Sequence, residues 1–170
     1  MRLSELPRGS AVYVDANIFL YHLHGASEEC RGFLAACERG EYRPLCSAET
    51  LVEVAHRAML AEAVLKGLAT PRTVSRRIRE RPELLAPLAD YRTHVRRIRA
   101  ILTSVVPVTL ETVDRALDLG AALGLLLRDS IVLAALETTT TKRLATADRD
   151  FDRAPGIEIY APSDVRFVGV

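Results

Sequence analysis

Four acidic residues stand where a folded chain could bring them together for chemistry. Asp15 follows the apolar run Val12-Tyr13-Val14, and Asp148 comes soon after another short apolar run. Asp129 falls at the predicted start of a helix, and Glu53 lies inside a helix beside its apolar stripe. Carboxylates that share a site repel one another, so such a cluster needs a cation, and all-oxygen ligation suits Mg²⁺ or Mn²⁺. A cation of this kind can activate water and orient a phosphodiester, which favours metal-assisted phosphodiester hydrolysis.

Most of these acids also have an ordinary structural interpretation. Asp129 could be a helix cap. Asp148 could belong, with Asp150 and Asp152, to a turn rich in carboxylates. Glu49, one turn before Glu53, could be the ligand instead, although an acid in the first turn of a helix also complements the helix dipole. The sequence alone leaves these alternatives open.

Other catalytic signatures are missing from the sequence. It has no Gly-rich P-loop, no G-x-S-x-G and no H-E-x-x-H. His22 and His24 form an H-x-H pair but have no third metal ligand nearby. Cys30, Cys37 and Cys46 are odd in number and lack a zinc or disulfide spacing, so we expect buried free thiols. The carboxylates are therefore the candidate chemistry.

The segments that must position these acids alternate between strands and helices. Short β-rich runs predict strands at 11–15, 43–46, 105–108, 143–146 and 157–160. Apolar periodicity predicts helices at 17–24, 27–39, 47–66, 70–81, 109–122 and 128–138, and a further helix ending near Thr103. The expected N-caps are Ser27, Ser47, Thr70 (with Pro71 in the first helical position) and Thr109.

This order predicts an α/β fold with a central parallel sheet of about five short strands and helices on both faces. We expect one domain over residues 1–170, with a long helical excursion between strands two and three. The carboxyl ends of parallel strands share one edge of a sheet, where ligand sites gather. Asp15 and Asp148 should therefore point to the same edge.

Basic residues are concentrated in one part of the chain. From Lys66 to Val106, ten basic residues stand against three acidic ones, a net charge of +7, whereas the rest of the chain carries −6. On predicted helices the arginines form two faces, Arg72-Arg76-Arg79 and Arg92-Arg96-Arg99. This segment could bind RNA phosphates, could be an ordinary solvated face, or could dock an acidic or helical partner.

The chain has no apolar run of about 20 residues, the length that a membrane-spanning helix needs. Residues 1–10 contain no apolar stretch of the signal-peptide kind. We therefore expect a cytoplasmic protein that does not interact with membranes.

Four segments resemble, in order, the motifs of PIN domains. Val14 to Tyr21 (Val-Asp-Ala-Asn-Ile-Phe-Leu-Tyr) resembles the opening motif, and Ser47 to Val54 resembles the second, with its glutamate at Glu53. Leu127 to Ala135 is similar to the third, with its acid at Asp129. Leu144 to Phe151 is similar to the fourth, T-x-D-x-D-F, in which Asp150 could share a metal with Asp148.

The resemblance implies the PIN fold, Mg²⁺ or Mn²⁺, and endonucleolytic cleavage of RNA. Its site residues would be Asp15, Glu53, Asp129 and Asp148, with Asp150 as a further metal ligand. Single-domain members of this size are often VapC-like toxins that dimerise and are inhibited by a cognate antitoxin. The alternative is a PIN scaffold that binds RNA or a partner through the arginine-rich segment without catalysis. A small-molecule phosphatase is less well supported, because the chain has no D-x-D-x-T motif.

Overall fold

A computed structural model describes residues 1–166 and is built on a five-stranded parallel sheet. The strands are β1 (Ala11–Val14), β2 (Arg43–Ser47), β3 (Ser104–Val106), β4 (Arg143–Ala145) and β5 (Glu158–Tyr160), in the order β3-β2-β1-β4-β5. Val12, Tyr13 and Val14 are all fully buried although successive side chains point to opposite faces, so the sheet is covered on both faces. The predicted α/β fold with about five parallel strands is confirmed.

Seven α-helices surround this sheet within residues 1–166. They are α1 (Ala16–Leu23), α2 (Glu28–Glu38), α3 (Ala48–Leu65), α4 (Val74–Glu80), α5 (Asp90–Ile101), α6 (Leu110–Leu123) and α7 (Leu127–Glu137). Short 3₁₀ helices occupy Leu3–Glu5, Pro82–Leu85 and Arg149–Arg153. Ser27, Ser47 and Thr109 cap α2, α3 and α6 through their side chains, as predicted.

Most boundaries lie within one residue of the prediction, and two of them differ by more. Strand β3 ends at Val106 rather than at residue 108, and the next residue is Pro107, which has no N–H to donate to a sheet ladder. The helix predicted from Thr70 begins only at Val74, and residues 71–73 form a turn in which the hydroxyls of Thr70 and Thr73 lie 2.9 Å apart. Arg72 therefore lies outside the helix and does not share a helical face with Arg76 and Arg79.

The helical excursion between β2 and β3 contains a second, smaller core. Ala63 from α3, Val74 and Ile78 from α4, and Leu88 are buried together, apart from the main core around the sheet. The further helix predicted to end near Thr103 is α5, which ends at Ile101 and is preceded by the 3₁₀ helix Pro82–Leu85. We call residues 71–101 the arm.

Glu62 joins the arm to α3. Its carboxylate accepts hydrogen bonds from the backbone N–H groups of Ala89 (2.9 Å), Asp90 (3.2 Å) and Tyr91 (2.9 Å), and it pairs with the Lys66 ammonium at 2.6 Å. Ala89, the residue before α5, has no side chain that could cap it, so a residue of α3 satisfies these donors. Burial works against the charged form of Glu62, but these hydrogen bonds outweigh it and lower its pKa to about 2.

Several other expectations concern the whole chain. Cys30, Cys37 and Cys46 are buried and free, as predicted. Among residues 1–166, no single helix has the length and apolar character to cross a membrane; α6 and α7 meet that criterion only as a pair bent by 117°. The single domain predicted over 1–170 stays a prediction, and residues 167–170 lie outside the described residues.

Candidate functional site

Asp15 lies directly after β1, at the edge where the parallel strands end. It is buried and is the N-cap of α1. One carboxylate oxygen accepts from the backbone N–H of Ala16 at 2.6 Å, and the other accepts from Asn17 Nδ2 at 2.6 Å and from the Thr146 hydroxyl at 2.7 Å. Asp15 is therefore held in one orientation at the end of the central strand.

Thr146 connects the ends of β1 and β4. Besides donating to Asp15, its hydroxyl oxygen accepts from Asn17 Nδ2 and from the backbone N–H of Asp148, both at 3.0 Å. Asn17 in turn accepts from the backbone N–H of Ala147 at 3.2 Å. Thr146 was not among the predicted site residues, although a threonine at the end of a buried strand, two residues before a candidate acid, is a signal that the sequence contains.

Three aspartates come together beside this pair of strands. Oxygen atoms of Asp129, Asp148 and Asp150 lie within 4.8 Å of one another, and all three side chains are half-buried. Asp129 comes from the first turn of α7, whereas Asp148 precedes the 3₁₀ helix that contains Asp150. We call these residues the aspartate trio. Both acids of the fourth motif, Asp148 and Asp150, belong to it.

The alternative interpretation of Asp129 as a helix cap is not supported. The residue that precedes α7 is Leu126, which has no polar side chain, and Asp129 is the third residue of the helix. No hydrogen bond to the Asp129 carboxylate forms within residues 1–166. Its neighbour Ser130 donates to the carbonyl of Leu126 at 3.0 Å. The Asp129 carboxylate therefore remains available to a ligand.

Glu53 lies near the trio but is paired with arginines. Arg128 of α7 contacts Glu53 at 3.0 Å and Glu49 at 3.2 Å, and Arg57 lies 3.6 Å from Glu53. The Glu53 side chain is only 17% exposed, against 26% for Glu49. Asp150 is likewise paired, with Arg153 at 2.9 Å. We call Asp15, Glu53 and the aspartate trio the acidic edge.

The paired arginines offset only part of the negative charge at the acidic edge. Burial raises the pKa of Asp15 to about 6, against the hydrogen bonds from Thr146 and Ala16, and the charges of Glu53 and Asp129 raise it further. Burial also raises the pKa of Asp129, as do the charges of Asp148, Asp150 and Glu53, while Arg128 opposes this shift. The negative charge of neighbouring acids therefore acts on both Asp15 and Asp129.

The donor set of the acidic edge fits a hard divalent cation. Every candidate ligand is a carboxylate, as Mg²⁺ and Mn²⁺ prefer, and the spacing of the trio allows one ion to contact all three residues. A cation would also relieve the repulsion that raises the pKa of Asp129. Asp129, Asp148 and Asp150 are the residues that would hold it, with Asp15 and Glu53 nearby.

A family model for the PIN domain matches residues 12–157, which cover most of the chain. The chain belongs to the PIN domain family. This confirms the resemblance drawn from the four motifs, and PIN domains are generally nucleases. The four predicted acids and Asp150 all fall within the matched range. No curated protein matches this sequence.

Solved structures with the same fold as this PIN domain come from bacteria and an archaeon. VapBC2 from Rickettsia felis, bound to a DNA fragment from their promoter, aligns with a TM-score of 0.58 and 12% identity over 89% of this chain and 98% of that chain. A toxin–antitoxin complex from Klebsiella pneumoniae aligns with a TM-score of 0.52 and 20% identity, and the alignment covers 86% of this chain and 94% of that chain. PAE2754 from Pyrobaculum aerophilum aligns with a TM-score of 0.50 and 18% identity, and the alignment covers 89% of this chain and 91% of that chain. These likenesses show a shared fold.

Proposed function

We propose that this PIN domain is a Mg²⁺- or Mn²⁺-dependent endoribonuclease that hydrolyses phosphodiester bonds of RNA. The observation that carries the proposal is the aspartate trio, three carboxylates within 4.8 Å of one another in a chain of a family that is generally nucleolytic. Asp15, Glu53, Asp129 and Asp148 are the proposed catalytic set, and Asp150 is a further metal ligand.

In this proposal some residues of the chain hold a cation, and others orient the carboxylates around it. A bound divalent ion supplies Lewis acidity toward the phosphate and lowers the pKa of a coordinated water. Asp129, Asp148 and Asp150 would hold that ion. Thr146 and Asn17 fix the Asp15 carboxylate at the same edge, and Arg128 fixes Glu53. Such outer contacts keep ligands in productive orientations.

Metal-dependent cleavage of RNA by purified protein tests the proposal. We expect cleavage of single-stranded RNA with Mg²⁺ or Mn²⁺, none with a chelator, and a loss of at least roughly 100-fold in Asp129→Asn, more than outer-shell changes typically cost. Asp118→Asn removes an exposed carboxylate of α6 and is the matched control, expected to retain activity. Equal cleavage by wild type and Asp129→Asn would contradict the proposal.

We further propose that the protein is the toxin of a type II toxin–antitoxin pair, acting in the cytoplasm as a homodimer held inactive by an antitoxin. In support, one structure with this fold is a toxin–antitoxin complex and another is VapBC2. Expression of wild type in a bacterial host should arrest growth, and Asp15→Asn should not. Normal growth with wild type at matched protein levels would contradict the toxin proposal.

The second candidate is a PIN scaffold that binds RNA or a partner without cleaving it. The observation that favours it is the concentration of arginine on the arm, with a net charge of +7 from Lys66 to Val106. It predicts salt-dependent binding and no metal-dependent cleavage. The cleavage assay with Asp129→Asn separates the two candidates.

A further inference from the structure

The arm carries positive charge that its own acids do not neutralise. Each acid between residues 66 and 106 has one basic partner, in the pairs Glu80–Arg76, Glu83–Arg81 and Asp90–Lys66. Seven exposed arginines remain with no carboxylate within 4 Å among residues 1–166: Arg72, Arg77, Arg79, Arg92, Arg96, Arg97 and Arg99. The net +7 of this segment is therefore displayed to solvent.

Helix α5 presents part of this charge as a row. Ile98 is buried in the main core, and Val95 and Ile101 pack against that core, which fixes the inner face of the helix. Arg92, Arg96 and Arg99 are spaced by four and three residues, so they share one flank of the helix, away from Ile98. All three are exposed.

The row is held in place before any ligand arrives. The Glu62 carboxylate fixes the first turn of α5 to α3, and the second core around Val74, Ile78 and Leu88 anchors the rest of the arm. A surface whose backbone is already ordered loses less conformational entropy when it binds. The arm is therefore suited to binding a ligand without first having to fold.

The arm also adjoins the acidic edge. Arg57 pairs with Glu53 of that edge and also lines a pocket of about 170 Å³ together with His24. Pro71 and Val74, where the arm begins, line the same pocket. Arg57 thus lies between Glu53 of the acidic edge and the first residues of the arm, where Arg72 follows Pro71.

We propose that the arm binds the phosphate backbone of single-stranded RNA and leads it to the acidic edge; this rests on the proposal that RNA is the substrate. A polyanion can engage many unpaired guanidinium groups at once, with release of its counterions. Protein interfaces draw most of their binding energy from a few anchors, among them Trp, Tyr and Arg, in a well-packed and desolvated centre. No large hydrophobic side chain of residues 71–101 is among the exposed ones that could build such a centre. The surface therefore suits RNA better than a protein.

Binding measured without metal tests this proposal separately from cleavage. The probe is a fluorescent single-stranded RNA of about 20 nucleotides, longer than the roughly 4–16 nucleotides that one single-strand-binding domain covers. Full-length protein is titrated in a chelator at several salt concentrations. The variants are Arg92→Gln/Arg96→Gln/Arg99→Gln and the corresponding triple lysine variant. The control, Arg8→Gln/Arg39→Gln/Arg115→Gln, loses the same charge at exposed positions outside the arm and the acidic edge.

We expect the glutamine variant of the arm to reduce the slope of log K against log salt by about 2, since each phosphate contact on a single strand contributes about 0.7. At 0.1 M salt, that change corresponds to up to about 100-fold weaker binding. The lysine variant and the control should bind much more tightly than the glutamine variant. Unfolding curves verify that all the variants fold.

Three results would overturn the proposal. One is an equal loss of affinity in the arm variant and the control, which would indicate a general charge effect. Another is a lysine variant as weak as the glutamine variant. The third is tighter binding of duplex DNA than of RNA of the same length. Because the assay needs no cleavage, wild type that binds RNA through the arm but never cuts it would contradict only the nuclease proposal.

Discussion

The single hydroxyl of Thr146 makes three hydrogen bonds at the acidic edge. It is fully buried, donates to Asp15, and accepts from Asn17 and from the backbone of Asp148. Its Asp15 bond spans 131 residues of sequence, so it joins the first motif to the last. A hydroxyl in this position fixes the orientation of one acid and the backbone that carries another.

Replacement of Thr146 by valine tests this role. Valine keeps the shape but removes the hydroxyl that donates to Asp15 and accepts from Asn17 and from the Asp148 N–H. A buried polar group left unsatisfied costs about 1–3 kcal/mol. We expect Thr146→Val to lower the cleavage rate by roughly 10–100-fold, the range for contacts that orient metal ligands, and to lower the melting temperature. Thr146→Ser should restore most of the activity. A serine variant as inactive as valine would show that the hydroxyl is not what matters.

Glu53 and Glu49 offer a matched comparison, because both pair with Arg128. Loss of either carboxylate removes one ion pair to this arginine, but only Glu53 adds to the repulsion felt by Asp15 and Asp129. We expect Glu53→Gln to reduce metal-dependent cleavage by at least about 100-fold, as for a ligand rather than an outer contact. Glu49→Gln should stay close to wild type. Equal losses in initial-rate assays would assign Glu53 an ion-pair role only.

At the scale of elements, the arm depends on a single carboxylate of α3. Glu62 satisfies three backbone donors at the start of α5, and these donors have no other cap. We expect Glu62→Gln to lower the free energy of unfolding by about 1–3 kcal/mol, as for buried polar groups left unsatisfied. Glu80→Gln, which removes an exposed pair on α4, should cost less than about 1 kcal/mol. Urea unfolding of the two variants provides the measurement.

The same carboxylate gives this prediction a pH dependence. Because the folded-state pKa of Glu62 is lowered to about 2, its stabilising contribution is fully present above the ordinary glutamate pKa and is lost as pH falls toward 2. The difference in unfolding free energy between wild type and Glu62→Gln should therefore shrink below about pH 4.5. A difference that stays constant down to pH 3 would contradict the assigned role.

Local signals in the sequence were enough to predict most elements, and long-range contacts explain the rest. Ser27, Ser47 and Thr109 cap helices that begin within a few residues of them, so their hydrogen bonds could be predicted from neighbours alone. Glu62 reaches donors 27 to 29 residues away, and Arg128 reaches Glu49 across 79 residues. No local pattern encodes such contacts, so the cap that α3 provides for the start of α5 was not predicted.

In the candidate site, too, local signals predicted some features and the tertiary structure determines the others. Asp15 and Asp148 follow predicted strands, so parallel topology alone placed them at one edge. The trio adds Asp129 from α7, and its grouping with Asp150 depends on how α7 packs beside the Arg149–Arg153 helix. The motif resemblance named these acids, but their spacing is a property of the tertiary structure.

At the scale of the whole molecule, a net charge of +1 conceals a separation of charge. Residues 66–106 carry +7 and the remainder carries −6. Five of the remaining acids meet at the acidic edge, where burial and mutual repulsion raise the pKa of Asp15 and Asp129. Folding therefore concentrates negative charge at one place, at a cost in stability that a divalent cation can offset.

This cost makes the stability of the whole protein dependent on metal. A ligand that binds only the folded state at 100 times its dissociation constant adds about 2.7 kcal/mol. For a chain of this size, that corresponds to a rise in melting temperature of roughly 5–10 °C.

We expect such a rise with Mg²⁺ or Mn²⁺ in wild type and in the control Asp114→Asn/Asp118→Asn, which alters two exposed acids of α6. Asp129→Asn/Asp148→Asn should show almost no rise, and without metal it should melt no lower than wild type, because it relieves the repulsion at the acidic edge. A rise of equal size in both double variants, measured by differential scanning calorimetry, would place the stabilising ion outside the aspartate trio.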